Sequence, residues 1–76
     1  MNIEKITILK MLHEGRPTIP EIANVIKKAN STVHGLLQEL VDIGYVSPPR
    51  KRGAARDYRI TIKGLSYLKQ NKYISE

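Results

Sequence analysis

A chain of 76 residues, 41% of them hydrophobic, has room for one small core and little more. Folding at this length removes only about 60% of the unfolded surface from water, which leaves few side chains to enclose an active-site cavity. With no cysteine there is no disulfide framework or thiolate metal site; no apolar run approaches the ~20 residues of a membrane span; and thirteen Lys+Arg against seven Asp+Glu leave a net charge of +6 that draws the chain to polyanions by counterion release.

These features predict an intact cytoplasmic protein with no leader segment, forming a single domain over residues 1–76. The first helix is expected over about 2–14. Ile6, Ile8, Leu9 and Leu12 share its apolar face, Thr7, Lys10 and Glu14 lie opposite, and Asn2 caps its start. Gly15 followed by Arg16-Pro17 ends it. Ile3 and Met11 fall toward the polar side, where they are either ordinary exposed apolar groups or part of a dimer contact. Pro17-Thr18-Ile19 is read as a single-bridge strand entering a second helix over about 18–28. That helix opens on a capping box, Thr18 with Glu21, and Pro20 is tolerated in its first turn. Ile22, Ala23 and Ile26 face inward with Val25 beside them, and small Ala23 lets the next helix cross closely. Lys27 and Lys28 in the last turn serve the helix dipole or a phosphate.

The third helix, about 31–43, has Val33, Leu36, Leu37, Leu40 and Val41 at helical spacing on one side. On the other side stand Ser31, His34, Gly35 and Gln38, small or hydrogen-bonding groups suited to close approach. Asn30 is expected to cap it and Gly44 to end it in a left-handed conformation. Two short helices joined this tightly, the second with a polar N-terminal face, make a helix-turn-helix over residues 21–40. Ser31 and Thr32 suit a phosphate or base edge, His34 a guanine acceptor or a phosphate, and Gln38 an adenine. Glu39 and Asp42 repel phosphates, so only the N-terminal half of this helix is expected to enter a groove. The plainer alternative is a solvated helix face.

Past Gly44 the period changes to two. Tyr45-Val46-Ser47, stopped by Pro48-Pro49, and residues 57–62, with Tyr58, Ile60 and Ile62 on one face, predict a β-hairpin over about 45–61. Its loop carries Arg50, Lys51, Arg52 and Arg56 around a small tip at Gly53-Ala54. Arg59 is expected to pack or to pair with Asp57. Thr61 caps a final helix, about 62–72, with Leu65 and Leu68 inward. Tyr67, Tyr73 and Ile74 either cover the core or meet a second subunit.

The order helix, helix, helix, hairpin, helix makes an α+β, mostly α chain that resembles the winged-helix domain of MarR-like and related regulators. The matching pieces are Leu40 to Val46, the basic stretch Arg50 to Arg56, and Thr61-Ile62-Lys63-Gly64. The resemblance implies a sequence-specific double-stranded DNA-binding transcription regulator, a homodimer on a pseudo-palindromic site. It implies base contacts from Ser31, His34, Gly35 and Gln38 and backbone contacts from Lys27, Lys28, Asn30, Thr32, Arg50, Lys51, Arg52 and Arg56. The dimer candidates are Ile3, Met11, Tyr67, Tyr73 and Ile74. MarR-type proteins add flanking helices that build a dimer and a ligand pocket, and this chain departs from them in length, so no small-molecule ligand is expected. Nor are a cofactor, a metal site or catalytic residues: His13 and His34 stand far apart with no companion ligands and no nucleophile motif. Two rival functions fit the same residues, a winged-helix protein-interaction module and an architectural protein binding RNA or DNA without sequence preference.

Overall fold

The computed structural model describes residues 1–52 and 55–75. Four helices and one two-stranded ribbon follow in order: α1 Ile3–Glu14, α2 Ile19–Ile26, α3 Asn30–Asp42, β1 Arg50–Arg52, β2 Ala55–Asp57 and α4 Ile62–Gln70. α1 lies at the centre, in contact with α2, α3 and α4. The Asn2 side chain accepts from the Lys5 N–H at 2.9 Å to start it. Its buried residues Ile6, Ile8, Leu9 and Leu12 join Ile22 and Ala23 of α2, Val33, Leu37 and Leu40 of α3, and Val46 and Leu68 in one core. Each large aliphatic side chain buried there contributes about 1.5–3 kcal/mol of transfer free energy. Among the described residues, no helix is long and apolar enough to cross a membrane.

α2 starts on the capping box. The Glu21 N–H donates to the Thr18 hydroxyl at 3.2 Å, and the Thr18 N–H donates to the Glu21 carboxylate at 3.0 Å. The bond from the Thr18 backbone, and then the Thr18 hydroxyl, hold the Glu21 carboxyl below its usual pKa. Residues 17–19 form no bridge; the isolated bridge present is Val46 with Ile60. α2 also ends earlier than its periodicity suggests. Lys27 turns left-handed, φ 58°, and both its N–H and that of Lys28 return to the Ala23 carbonyl, so neither lysine belongs to a last helical turn. Gly15, by contrast, closes α1 in extended backbone that any residue adopts.

α3 begins one residue early. Ala29 holds the cap position, no side chain caps it, and Asn30 is the first helical residue instead of the cap. Val33, Leu37 and Leu40 are buried, Leu36 and Val41 half-buried. The helix ends through Gly44, whose φ of +84° is the left-handed conformation glycine supplies without strain.

β1 and β2 pair antiparallel, with Arg50 opposite Asp57, Lys51 opposite Arg56 and Arg52 opposite Ala55. Residues 45–47 and 58–60 meet only at the Val46–Ile60 bridge, flanked by bonds from Ser47 N–H to the Arg59 carbonyl and from Thr61 N–H to the Tyr45 carbonyl. Pro48 and Pro49, having no N–H, interrupt the ladder between bridge and ribbon. Ile62 leaves the face shared with Tyr58 and Ile60: it is the first residue of α4 and 85% exposed. The Thr61 cap reverses the chain there, and the period of two ends with Ile60. α4 stops at Gln70, because Lys72 turns left-handed at φ 60°. Leu68 is buried, but Leu65 is only half-buried. The inward position belongs to Gly64, where a Cβ would collide with the Tyr45 carbonyl.

Candidate nucleic-acid interface

The outward side of α3 carries Ser31, Thr32, His34, Gly35, Gln38, Glu39 and Asp42, all exposed. Ser31, Gly35, Gln38 and Asp42 follow each other at intervals of four, three and four residues, one stripe along the helix, with His34 beside it. No side-chain group occupies the N-terminus, so the backbone N–H groups of the first turn and the positive end of the helix dipole face outward. Exposed Lys27, Lys28 and Asn30 lead into that turn. A Cβ on Gly35 would meet nothing within 4 Å. Glycine costs a helix interior about 1 kcal/mol relative to alanine, and no contact within the chain requires it.

The C-terminal half of α3 is tied down. Lys5 Nζ on α1 pairs with Glu39 Oε1 at 3.2 Å, and Gln38 Nε2 donates to Asp42 Oδ1 at 3.0 Å. Beyond the helix, Lys63 Nζ donates to the Ile43 carbonyl at 2.8 Å and lies 5.5 Å over the Tyr45 ring. Thr61 Oγ1 donates to the Gly44 carbonyl at 2.6 Å while accepting from the Gly64 N–H. The Thr-x-Lys-Gly segment is therefore a clamp between the end of α3 and the start of α4. Sequence reading took only the cap from it. A lysine in a helix's first turn opposes the dipole, and that was the available signal that Lys63 has a partner outside its own helix.

A second junction lies at the root of the ribbon. Asp57, 12% exposed at its side chain, accepts from Arg59 Nε at 3.5 Å and faces an Arg16 amino nitrogen at 4.0 Å. It ties β2 to the turn after α1. The Arg59 pairing follows the sequence expectation; Arg16, forty-one residues earlier, was not anticipated. The side chains of Arg50, Lys51, Arg52 and Arg56, and the tip at Gly53-Ala54, lie outside the described part of the structure, so for these four cations the backbone register alone is given.

The dimer candidates are scattered. Met11, Tyr67 and Ile74 pack against the chain's own core. Tyr67 sits between Tyr45 and Tyr73, with ring centroids 5.1 and 6.2 Å apart, and burial, with the two neighbouring phenols, raises its pKa. Ile3 and Tyr73 stay exposed, at 69% and 38%. Ile3 lines a shallow groove between α1 and α2 with Glu4, Thr7, Val25 and Ile26. Among the described residues no three His, Asp or Glu side chains are grouped to hold a metal ion.

Comparison with known proteins matches residues 6–49 to the IclR helix-turn-helix domain, a span that runs from within α1 through α3 to the ribbon's approach. Several solved structures share the fold. A MarR family transcriptional regulator from Silicibacter pomeroyi is 24% identical with a TM-score of 0.79, over 93% of this chain and 50% of that one. A MarR family regulator from Neisseria meningitidis is 20% identical with a TM-score of 0.73, over 96% and 54%. Reduced HlyU from Vibrio cholerae is 22% identical with a TM-score of 0.73, over 97% and 80%. The chain thus spans about half the length of the two MarR family structures. Comparison with curated protein sequences finds no match.

Proposed function

This chain belongs to the family of IclR helix-turn-helix domains, and on that premise we propose that it is a sequence-specific DNA-binding transcription regulator that reads duplex DNA through α3. The observation that carries the reading is the outward face of that helix: an uncapped, electropositive N-terminus leading into a stripe of small polar residues. A helix N-terminus binds phosphate through free N–H groups and its dipole, and Lys27, Lys28, Asn30 and Thr32 surround that end. Ser31, His34, Gly35 and Gln38 then face the base edges of the major groove. The ribbon acts as the wing, with Arg50, Lys51, Arg52 and Arg56 on the adjacent backbone or in the minor groove. One such helix makes few base contacts. Two copies on half-sites about 34 Å apart multiply the specificity, and the exposed Ile3 and Tyr73 are the first residues to test for a homodimer contact.

The test is selection of bound sequences from a random duplex pool, with affinity measured across a salt series. A common motif is expected to emerge, with affinity falling steeply as salt rises. Arg52→Ala is expected to weaken binding to all duplexes alike and to lower the salt slope by about one. Failure to enrich any duplex defeats the proposal, and binding that ignores salt points to an apolar docking module instead.

A further inference from the structure

The reading of α3 as the DNA-facing helix leaves open what orients its longest polar side chain, and the structure carries an answer that rests on that reading. Gln38 Nε2 donates to Asp42 Oδ1 at 3.0 Å, one helical turn further on. An ionised carboxylate only accepts hydrogen bonds, so the nitrogen end of the Gln38 amide is the end that turns toward Asp42. The amide's two ends, nearly equivalent in shape, are thereby made unequal.

The other acid of this half-helix has a different engagement. Glu39 is paired with Lys5 across to α1. Asp42 forms no ion pair among the described residues, and Gln38 is the side chain it bonds there. Both members of the pair are exposed, so the bond adds little to folding, as side-chain pairs four apart on a helix do. Its consequence lies in what it leaves available. An amide nitrogen has two hydrogens. With one given to Asp42, a second N–H remains beside a free Oε1.

We propose that Asp42 is a positioning residue for base recognition: it takes the Gln38 N–H that points away from Oε1 and so presents the acceptor–donor edge of the amide to an adenine. Adenine offers the complementary pair in the major groove, the N6 amino donor and the N7 acceptor. Guanine offers O6 and N7, two acceptors, and sets Oε1 against a lone pair unless the amide turns over. Turning over breaks the bond to Asp42 and points the oxygen at a carboxylate. Asp42, which by charge alone only opposes DNA, thus excludes guanine through its neighbour.

Duplexes recovered from a random pool by the wild-type protein supply the probe. The position read by Gln38 is the one whose preference disappears with Gln38→Ala, and A·T and G·C versions of that position are then compared. The wild type is expected to prefer adenine by about tenfold or more, the range of a good bidentate contact. Asp42→Ala is expected to cut that ratio at least about fivefold while tightening binding to both duplexes, because a negative charge near phosphate is gone. In a Gln38→Ala background, Asp42→Ala is expected to leave the ratio unchanged and still tighten binding. A structural or purely electrostatic role for Asp42 moves affinity and not the ratio. An unaltered adenine preference in Asp42→Ala, or a change of ratio that persists without Gln38, overturns the positioning role while leaving DNA binding intact. Absence of any adenine preference at that position overturns it likewise. Failure of the pool to enrich at all defeats the DNA-binding proposal, and this one with it.

Discussion

The two ends of α3 are built in opposite ways. At its N-terminus no side chain supplies a cap, the first-turn N–H groups face outward, and Ser31, His34 and Gly35 form no side-chain bond with the rest of the described chain. At its C-terminus, Lys5 holds Glu39, Lys63 holds the Ile43 carbonyl, Thr61 holds the Gly44 carbonyl, and Gly64 lets the Tyr45 carbonyl pass within contact of α4. A helix that must present a rigid face to a large partner needs one anchored end, because a contact surface that shifts by an ångström loses its register. Its presenting end must stay unfilled, because a hydrogen-bond donor already satisfied within the chain has nothing to offer outside it.

The contrast is open to attack by substitution. The largest effect is expected at the clamp: Gly64→Ala drives a Cβ into backbone, and forced overpacking of this kind costs about 3 kcal/mol. The urea midpoint reads it, and an unchanged midpoint means that α3 and α4 are not closely joined. Lys63→Ala removes a bond to a carbonyl and a cation over an aromatic ring, for a smaller loss of about 1 kcal/mol by the same measurement. Gly35→Ala, at the open end, is expected to move two readouts in opposite directions. Thermal stability rises by about 1 kcal/mol because the new methyl meets nothing and favours helix. DNA affinity falls because the methyl occupies the space of close approach. Affinity that rises or holds removes Gly35 from the interface.

The smallest effect concerns α2, the element that supports α3. The Glu21 carboxyl is held below its ordinary pKa by Thr18. A lowered folded-state pKa stabilises the fold above the ordinary carboxylate pKa, and that contribution is lost as pH falls through the folded value. Thr18→Ala is expected to erase this part of the acid dependence of stability, seen by comparing denaturation of both proteins between neutral and acidic pH. Parallel curves exclude the capping box as the source.

The expected resemblance to winged helix-turn-helix regulators agrees with the family match and with the fold of the solved structures. What made it legible is particular. Thr18 and Glu21 stand three apart before an apolar run, Ala23 is the one small inward residue on α2, and Arg50 to Arg56 gather charge where the period changes. The misreadings are equally particular. Asn30 is a good capping type, but the turn from Lys27 is tight enough that it is already helical. Ile62 fits a period-two pattern, but its neighbour Thr61 starts a helix.

By itself the sequence determined the features whose partners lie within about four residues: the caps at Asn2, Thr18 and Thr61, the left-handed turn at Gly44, and the apolar faces that form the core. Such bonds close short loops at little entropic cost and need no distant element in place. Only the tertiary structure decided that Lys63 serves the end of α3, that Arg16 reaches Asp57, that Lys5 takes Glu39, and that Met11, Tyr67 and Ile74 turn to their own core. Those pairings depend on how helices cross, and a lysine, an arginine or a tyrosine carries no mark of which remote carbonyl, carboxylate or ring the crossing will bring to it.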